Sequence, residues 1–271
     1  MLAASPFDTL AETYDADFTT SGIGRLQRKR VWKYLLPLLN ESERPLNILE
    51  INCGTGEDAI QLASMGHSVI ATDASDAMIA KANEKIGGAA IPISGLQFHA
   101  CSFDQLKNSF RGQKFDLVFS NFGGLNCIDK KALGQLRDDL RSLLRPDGKF
   151  FFVVMGNCCI REMIHFGIRG KWKSAFRRFK PVVDFSVNGD SMAVYYYSPA
   201  ALKAAFSPAF KLLQKRPVGL FIPPSYLEKR FAGNEKKLQR LEKREEKFGA
   251  SSLSVFADHY CAIFKRSGTN A

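Results

Sequence analysis

The chain lacks any long apolar run. Its longest strongly apolar stretch, Phe150-Phe151-Phe152-Val153-Val154-Met155, is far shorter than the roughly 20 residues a membrane-spanning helix needs, so no span is expected. Metal-ligand spacing is also missing. The six cysteines (Cys53, Cys101, Cys127, Cys158, Cys159 and Cys261) form no CxxC pair, and the four histidines form no HExxH or paired pattern. Buried reduced thiols are therefore expected, since free cysteine behaves as a small hydrophobe, and no metal site is expected. Neither an internal repeat nor a low-complexity tract occurs. Asp8, Glu12, Asp15 and Asp17 crowd the N-terminus, which does not resemble a cationic, apolar leader. A cytoplasmic protein is expected.

What is present fits one well-packed unit. The 271 residues are 45% hydrophobic and 24% charged, ordinary values for a globular chain. The net charge of +11 is uneven: residues 1–155 hold 17 Lys+Arg against 18 Asp+Glu, and residues 156–271 hold 21 against 9. The basic excess lies wholly in the second part, which points to solubility or to an anionic partner.

Residues 6–40 read as helical, with Asp8 as a cap and Leu26, Val31, Leu35 and Leu39 as apolar points of a basic amphipathic stretch. An alternation of strands and helices follows. Strands are predicted at 47–51, 68–72, 96–101, 115–120 and 149–155, with helices at 58–65, 75–86 (capped by Ser75) and 130–144. Arg145-Pro146-Asp147-Gly148 reads as a turn. Strands separated by helices imply parallel pairing through right-handed crossovers, hence a doubly wound, Rossmann-like α/β sheet with its site at the carboxyl ends of the strands. Past Met155, residues 158–193 mix Arg161, Arg169, Lys171, Lys173, Arg177, Arg178 and Lys180 with Trp172, Phe176 and Phe179. Strands at 210–216 and 256–265 are expected to extend the sheet as an antiparallel pair, giving seven. Leu227 to Phe248 reads as one charged, solvated surface helix.

The most informative unit is Ile48-Leu49-Glu50-Ile51-Asn52-Cys53-Gly54-Thr55-Gly56-Glu57-Asp58: a strand, a glycine turn, a helix. Gly54 and Gly56 let a ligand approach the backbone. Asp73 ends the second strand 23 positions after Glu50, where an acidic side chain accepts hydrogen bonds from both hydroxyls of a ribose. A nicotinamide dinucleotide uses a similar layout, but Glu50 stands where such sites carry an apolar residue, and Glu57 and Asp58 would repel a pyrophosphate. A cationic ligand, such as a sulfonium with an amino group, suits those carboxylates. Ser102-Phe103-Asp104 and Asn121-Phe122-Gly123-Gly124 follow strands three and four.

Taken together, FDTLAETYDADF (7–18), ILEINCGTGEDA (48–59), VIATDASDAMIAKA (69–82), FHACSFDQL (98–106), FDLVFSNFGGLNCI (115–128) and LLRPDGKFFFV (143–153) resemble a class I S-adenosylmethionine-dependent methyltransferase of the small-molecule type. The resemblance covers Phe7 to Met155. It implies that Glu50 and Gly54 sit near the methionine end of the cofactor, that Asp73 holds the ribose, that Met78 or Ala74 packs near the adenine, that Phe103 and Asp104 touch the adenine edge, and that Asn52, Gly56, Ala74 and Ser102 also belong to the cofactor-binding set. Asn121 and Phe122 would lie by the sulfonium, and Tyr14 would close over the carboxylate. The family usually has glycine where Asn52 stands; asparagine tolerates left-handed backbone better than other side chains do.

Methyl transfer from a sulfonium needs mainly positioning, so a catalytic motif is not required. An acceptor that must lose a proton would use a base; His165, Tyr195, Tyr196, Asp258 and His259 are candidates by residue type, with His165 and Tyr195 singled out. The reading is a single methyltransferase unit over 1–271: a helical cap (1–45), a cofactor half (46–155), a substrate lid with a late strand (156–225), and a charged helix with a final strand (226–271). Its expected partner is a small acceptor, aromatic or anionic, with Arg161 or Arg169 on the charge. The alternative is an RNA methyltransferase using the basic half. Against it, Asn121-Phe122-Gly123-Gly124 replaces the Asn-Pro-Pro-Tyr type motif used on planar amines, and no Pro-Cys pair exists.

Overall fold

The computed structural model describes residues 7–88, 94–187, 190–231 and 233–267. After a short 3-10 turn at Asp8–Leu10 and a π-helical turn at Asp15–Thr19, the elements run α1 Gly22–Leu39, β1 Asn47–Ile51, α2 Glu57–Ser64, β2 Ser68–Asp73, α3 Asp76–Gly87, β3 Leu96–Ala100, α4 Leu106–Ser109, β4 Phe115–Ser120, α5 Lys130–Leu143 and β5 Leu144–Met155. Then follow α6 Ile160–Gly167, α7 Trp172–Ala175, β6 Val183–Val187, β7 Asp190–Val194, α8 Pro199–Phe206, β8 Phe210–Val218, α9 Glu235–Lys247 and β9 His259–Arg266.

Seven strands form one sheet in the order β3-β2-β1-β4-β5-β9-β8. The first five pair in parallel, and β9 runs antiparallel to both β5 and β8. This is the mostly parallel, doubly wound α/β sheet read from the sequence, with the two late strands in their expected place. The central parts of β1, β4 and β5 are buried and accordingly carry apolar runs, Ile48-Leu49, Leu117-Val118-Phe119 and Phe150 to Val154, with the buried Glu50 as the exception. On one face Leu49, Val118, Phe150 and Phe152 pack under α5 and α8 through Leu133, Leu136, Leu140 and Phe206. On the other, Ile48, Leu117, Phe119 and Phe151 meet Val31, Leu35, Ala59, Leu62 and Ile79 of α1, α2 and α3.

Local signals set the helix starts. Ser75, Asp129 and Ser198 each accept the backbone N–H three residues on, capping α3, α5 and α8.

Four expectations are corrected. The described part of 6–40 is helical in three pieces, two short turns and then α1, but Asp8 lies within the first turn rather than capping it, and the side-chain cap is Ser21 at the start of α1. Asp8 instead accepts the hydroxyl of Ser75, tying the N-terminal turn to α3. Arg145-Pro146-Asp147-Gly148 does not separate helix from strand. Leu144 already pairs with Phe115, Lys149 pairs with Leu117, and the intervening residues bulge out of β5. The expected helix over 227–248 is interrupted: a 3-10 turn at Ser225–Arg230 precedes α9. Nor is α9 simply a solvated surface. Leu227, Phe231, Leu238 and Leu241 pack on Ile23 and Ile222. The buried Glu245 carboxylate accepts the backbone N–H groups of Gly219, Leu220, Phe221 and Ile222, and Glu228 accepts those of Gly22 and Ile23 at the start of α1.

Candidate functional site

The chain passes from β1 outward to β2 and β3, then returns to the other side of β1 for β4 and β5. This reversal places a crevice beyond the carboxyl ends of β1 and β4. A cavity of about 700 Å³ opens there.

Its floor is the turn after β1. Asn52 adopts left-handed backbone (φ 55), and its amide bridges the two strand ends: Nδ2 donates to the carbonyl of Asn121 (2.7 Å) and Oδ1 accepts from Ser120 Oγ (2.5 Å). A Cβ on Gly124 would lie 2.1 Å from the Asn52 side chain. The departure from glycine at 52 is thus accommodated by the glycine at 124. Gly56 also has positive φ (78), and a Cβ there would lie 2.6 Å from the Phe98 ring; it serves close packing of α2 on the neighbouring elements.

Asp73 ends β2 on the cavity wall. One carboxylate oxygen accepts from the Gly54 N–H (2.9 Å) and the other from the Ser75 N–H (3.0 Å). These bonds fix the carboxylate while leaving acceptor capacity on each oxygen. Burial raises its pKa above the usual carboxylate value, against the hydrogen bonds from Ser75, Gly54 and Ala74.

The sequence-derived residues divide in two groups. Tyr14, Asn52, Gly54, Asp73, Ala74, Met78, Ser102, Phe103, Asp104 and Phe122 line the cavity together. Glu50, Gly56 and Asn121 stand outside its lining. Glu50 is 1% exposed, and its Oε2 has no hydrogen-bond partner. Burial, with the nearby Asp58 carboxylate, pushes its pKa well up. Asn121 donates to Asp58 Oδ2 (2.8 Å), while its own Oδ1 is buried without a partner. Of the two favoured acid–base candidates, Tyr195 lies on the wall and His165 does not. His165 packs edge-on against Phe166, and its carbonyl accepts from Arg169. Arg161 and Arg169, expected to face an acceptor, also lie outside the cavity lining.

Two organising residues go beyond the sequence-derived set. Asp58, marked in the sequence only by its charge at the start of α2, is buried between Trp32 Nε1 (2.7 Å), Asn121 and Arg28; the sequence does not single out Arg28. Arg28 reaches from α1 to within 3.2 Å of Asp58 through Nε, yet Nε and Nη1 make no aligned hydrogen bond. Its guanidinium lies 5.8 Å from the ring centres of both Phe18 and Phe122. Tyr14, beside Gly54, is pushed up to about 12 by burial. The available signal was a basic residue on the first helix, fourteen positions after Tyr14, but nothing local to it shows which way it points.

A further part of the lining comes from Ile128, just before α5, from Ala132 and Leu136 of α5, and from Met192 and Ala193 of β7. Asn126 fixes it. This fully buried amide donates to the Met155 and Tyr195 carbonyls and accepts from the Met155 N–H. Behind the wall, Glu162 accepts from Arg177, Arg178 and Tyr226, and Arg178 also donates to Asp258 (2.6 Å). His259 Nδ1 is 3.1 Å from Asp258, and its ring meets Phe122 edge-on. Among the described residues, no group of three or more His, Cys, Asp or Glu side chains is arranged to hold a metal.

Residues 48–148 match a family model described as a methyltransferase domain. The chain is 29% identical over 147 residues to a demethylmenaquinone methyltransferase of Clavibacter sepedonicus, covering 53% of this chain and 54% of that one. It is 30% identical over 143 residues to the tRNA 5-carboxymethoxyuridine methyltransferase of Escherichia coli K12, covering 52% and 53%. The chain thus spans about half the length of these curated relatives. The CcbJ methyltransferase of Streptomyces caelestis shares the fold over nearly the whole length, with a TM-score of 0.64 at 14% identity, covering 98% of this chain and 99% of that one.

Proposed function

We propose that the chain, whose residues 48–148 match a methyltransferase-domain model, is a class I, S-adenosylmethionine-dependent methyltransferase that methylates an oxygen or nitrogen of a small-molecule acceptor. The observation that carries this reading is one cavity lined by two unlike sets of residues. One set holds Asp73 with spare acceptor capacity; the other is apolar, with Ile128, Leu136, Met192 and Ala193.

The residues of the first set fit the cofactor. Asp73 accepts from the ribose hydroxyls. Ala74, Met78 and Phe103 enclose a flat base, with Ser102 and Asp104 at its polar edge. Behind the lining, the cationic Arg28 suits an α-carboxylate and the carboxylate of Glu50 favours the nearby positive charge, while Tyr14 on the wall closes over the carboxylate end. Arg28 Nη1 and Glu50 Oε2 have no hydrogen-bond partner, and such buried groups are costly without a ligand. S-adenosylmethionine, when bound, supplies an activated methyl group for in-line displacement.

The protein's contribution is positioning, which can supply about 7–11 kcal/mol of barrier reduction. Phe122 sits on the cavity wall in strained left-handed backbone (φ 44), held between Phe18 and His259. It fixes the boundary between the two sets. Met192 and Ala193 of β7 serve as the cover over the acceptor, and Tyr195 is the hydroxyl on the wall able to orient one.

Mass spectrometry of small aromatic and carboxylated acceptors incubated with protein and cofactor tests this. Methylated small product, absent without the protein, is expected. Methylation of RNA alone would replace this reading with the RNA alternative.

A further inference from the structure

The insertion after β5 carries a surface that the cavity does not use. Ile160 and Ile164 lie on α6, Ile168 follows its end, and Trp172 and Phe176 belong to α7 and the residue after it. The chain turns at 168–171 between the two helices, and the Trp172 ring comes back beside Gly167, within 3.5 Å of where a Cβ would stand. These apolar side chains are all exposed, Ile164 by 53%, Ile168 by 76% and Trp172 by 62%, and Phe179 (54%) and Val182 (40%) continue the patch. The rings form a plate: Trp172 stacks on Phe176 at 17°, and Phe176 meets Phe179 at 6.1 Å. Contiguous apolar patches of this kind mark interaction sites.

The charge around the patch is mostly of one sign. Between Cys158 and Val183 the only acidic residue is Glu162, and the exposed Asp184 follows at the far end of the patch. Glu162 is buried and bound by Arg177, Arg178 and Tyr226. Arg169, Lys171, Lys173 and Lys180 are all exposed. The buried network under the patch holds α6, α7 and the 177–179 turn as one plate; the solvent face is apolar with a cationic border.

We propose that this face docks on an anionic lipid surface, with Ile164, Ile168, Trp172 and Phe179 entering the headgroup–acyl boundary and Arg169, Lys171, Lys173 and Lys180 on the headgroups. A segment with one apolar and one basic side lies in such an interface without spanning it, and no described helix is long and apolar enough to span. Single-stranded RNA fits less well, because stacking platforms need aromatic rings and half of the patch is aliphatic. A two-fold self-contact would bring the same cationic borders together. The inference is independent of the acceptor's identity.

Vesicles of phosphatidylglycerol and of phosphatidylcholine, with and without brominated acyl chains, provide the test. Trp32 is buried (5% exposed) and Trp172 is exposed, so acyl-chain bromine reports on Trp172. Binding to phosphatidylglycerol vesicles and weak binding to phosphatidylcholine are expected. Bromine should quench the emission of the wild type and not that of Trp172→Phe. The variant Ile164→Glu/Ile168→Glu changes only exposed side chains. It should retain its far-ultraviolet circular dichroism and cofactor affinity, and lose vesicle affinity by about tenfold or more per isoleucine. The proposal is overturned by any of three results: no binding to anionic vesicles, binding without bromine quenching, or undiminished binding of the double-glutamate variant. Single-stranded RNA binding that anionic vesicles do not compete away would likewise assign the face to nucleic acid.

Discussion

Buried charge is handled in opposite ways on the two sides of β5. Around β1, β2 and β4, polar atoms are left open: Glu50 Oε2, Arg28 Nη1 and Asn121 Oδ1 have no hydrogen-bond partner, and Asp73 is held by backbone amides alone. Across β5, Glu162, Arg177, Arg178, Tyr226 and Asp258 are bonded to one another, although His259 Nδ1 and Arg161 Nε nearby have no aligned partner. An unpaired buried polar group costs free energy. Arg30 and Tyr34 carry such atoms away from the cavity as well, so it is the position of the open set around Asp73 that makes it the proposed place of a ligand, while the bonded set is a brace. The pKa directions agree. Burial raises Asp73 and Glu50. For Asp258 and Glu162, burial is outweighed by His259 and Arg178 and by Arg177 and Arg178, and both carboxyls are held low.

The largest expected effect comes from breaking the bonded set. Arg178→Ala leaves Glu162 and Asp258 short of a cation, which should destabilise the fold by about 3–5 kcal/mol. Denaturant unfolding should show the loss, while the folded fraction keeps its cofactor affinity. If Arg178→Ala instead abolished cofactor binding in folded protein, the two regions would not be separable.

The open set should respond in the reverse manner. Asp73→Ala should weaken cofactor binding by about 1.5–3 kcal/mol for each charged hydrogen bond lost, with the fold retained, as read by calorimetry beside circular dichroism.

Acidification sharpens the contrast. Asp258 and Glu162, with depressed folded pKa values, contribute stability that is present above the ordinary carboxylate range near pH 4 and lost as pH falls through their folded values. Glu50, whose folded pKa is raised, does the opposite: its contribution is present at low pH and lost as pH rises through the folded value. Glu50→Gln should therefore raise the melting temperature of the ligand-free chain at neutral pH while weakening cofactor binding, by about 1.5–3 kcal/mol if a charged contact is lost. Glu162→Gln should lower the neutral-pH melting temperature and flatten its fall on acidification. Equal shifts in both variants would erase the distinction.

The smallest effect is expected at Arg161 and Arg169. Neither lines the cavity, so alanine at either position should leave stability within about 0.5 kcal/mol and turnover of a small acceptor unchanged. A strong rise in KM at either would restore them to acceptor binding.

The cofactor half was legible because its signals are local. Ser75 caps the helix it precedes, and Gly54 and Asp73 are placed by the strands they follow. What escaped the sequence depends on contacts far apart along the chain. Arg178 meets Asp258 across 80 positions, Arg28 reaches Asp58 from another helix, and Glu245 binds a loop 23–26 residues earlier. The 227–248 segment reads as one helix because its charge pattern is continuous. The break is set by packing of Phe231 and Leu238 on Ile23, which no local pattern records. The basic stretch was read as acceptor-facing, yet Arg177 and Arg178 turn inward to Glu162.

The most direct measurement is a calorimetric titration of S-adenosylmethionine, S-adenosylhomocysteine and NAD into the wild type and Asp73→Ala. One site for each of the two adenosyl ligands, none for NAD, and a marked loss of affinity in a folded Asp73→Ala are predicted. NAD binding in their place, or equal affinity in the two proteins, would contradict the assignment of the open carboxylates to a sulfonium cofactor.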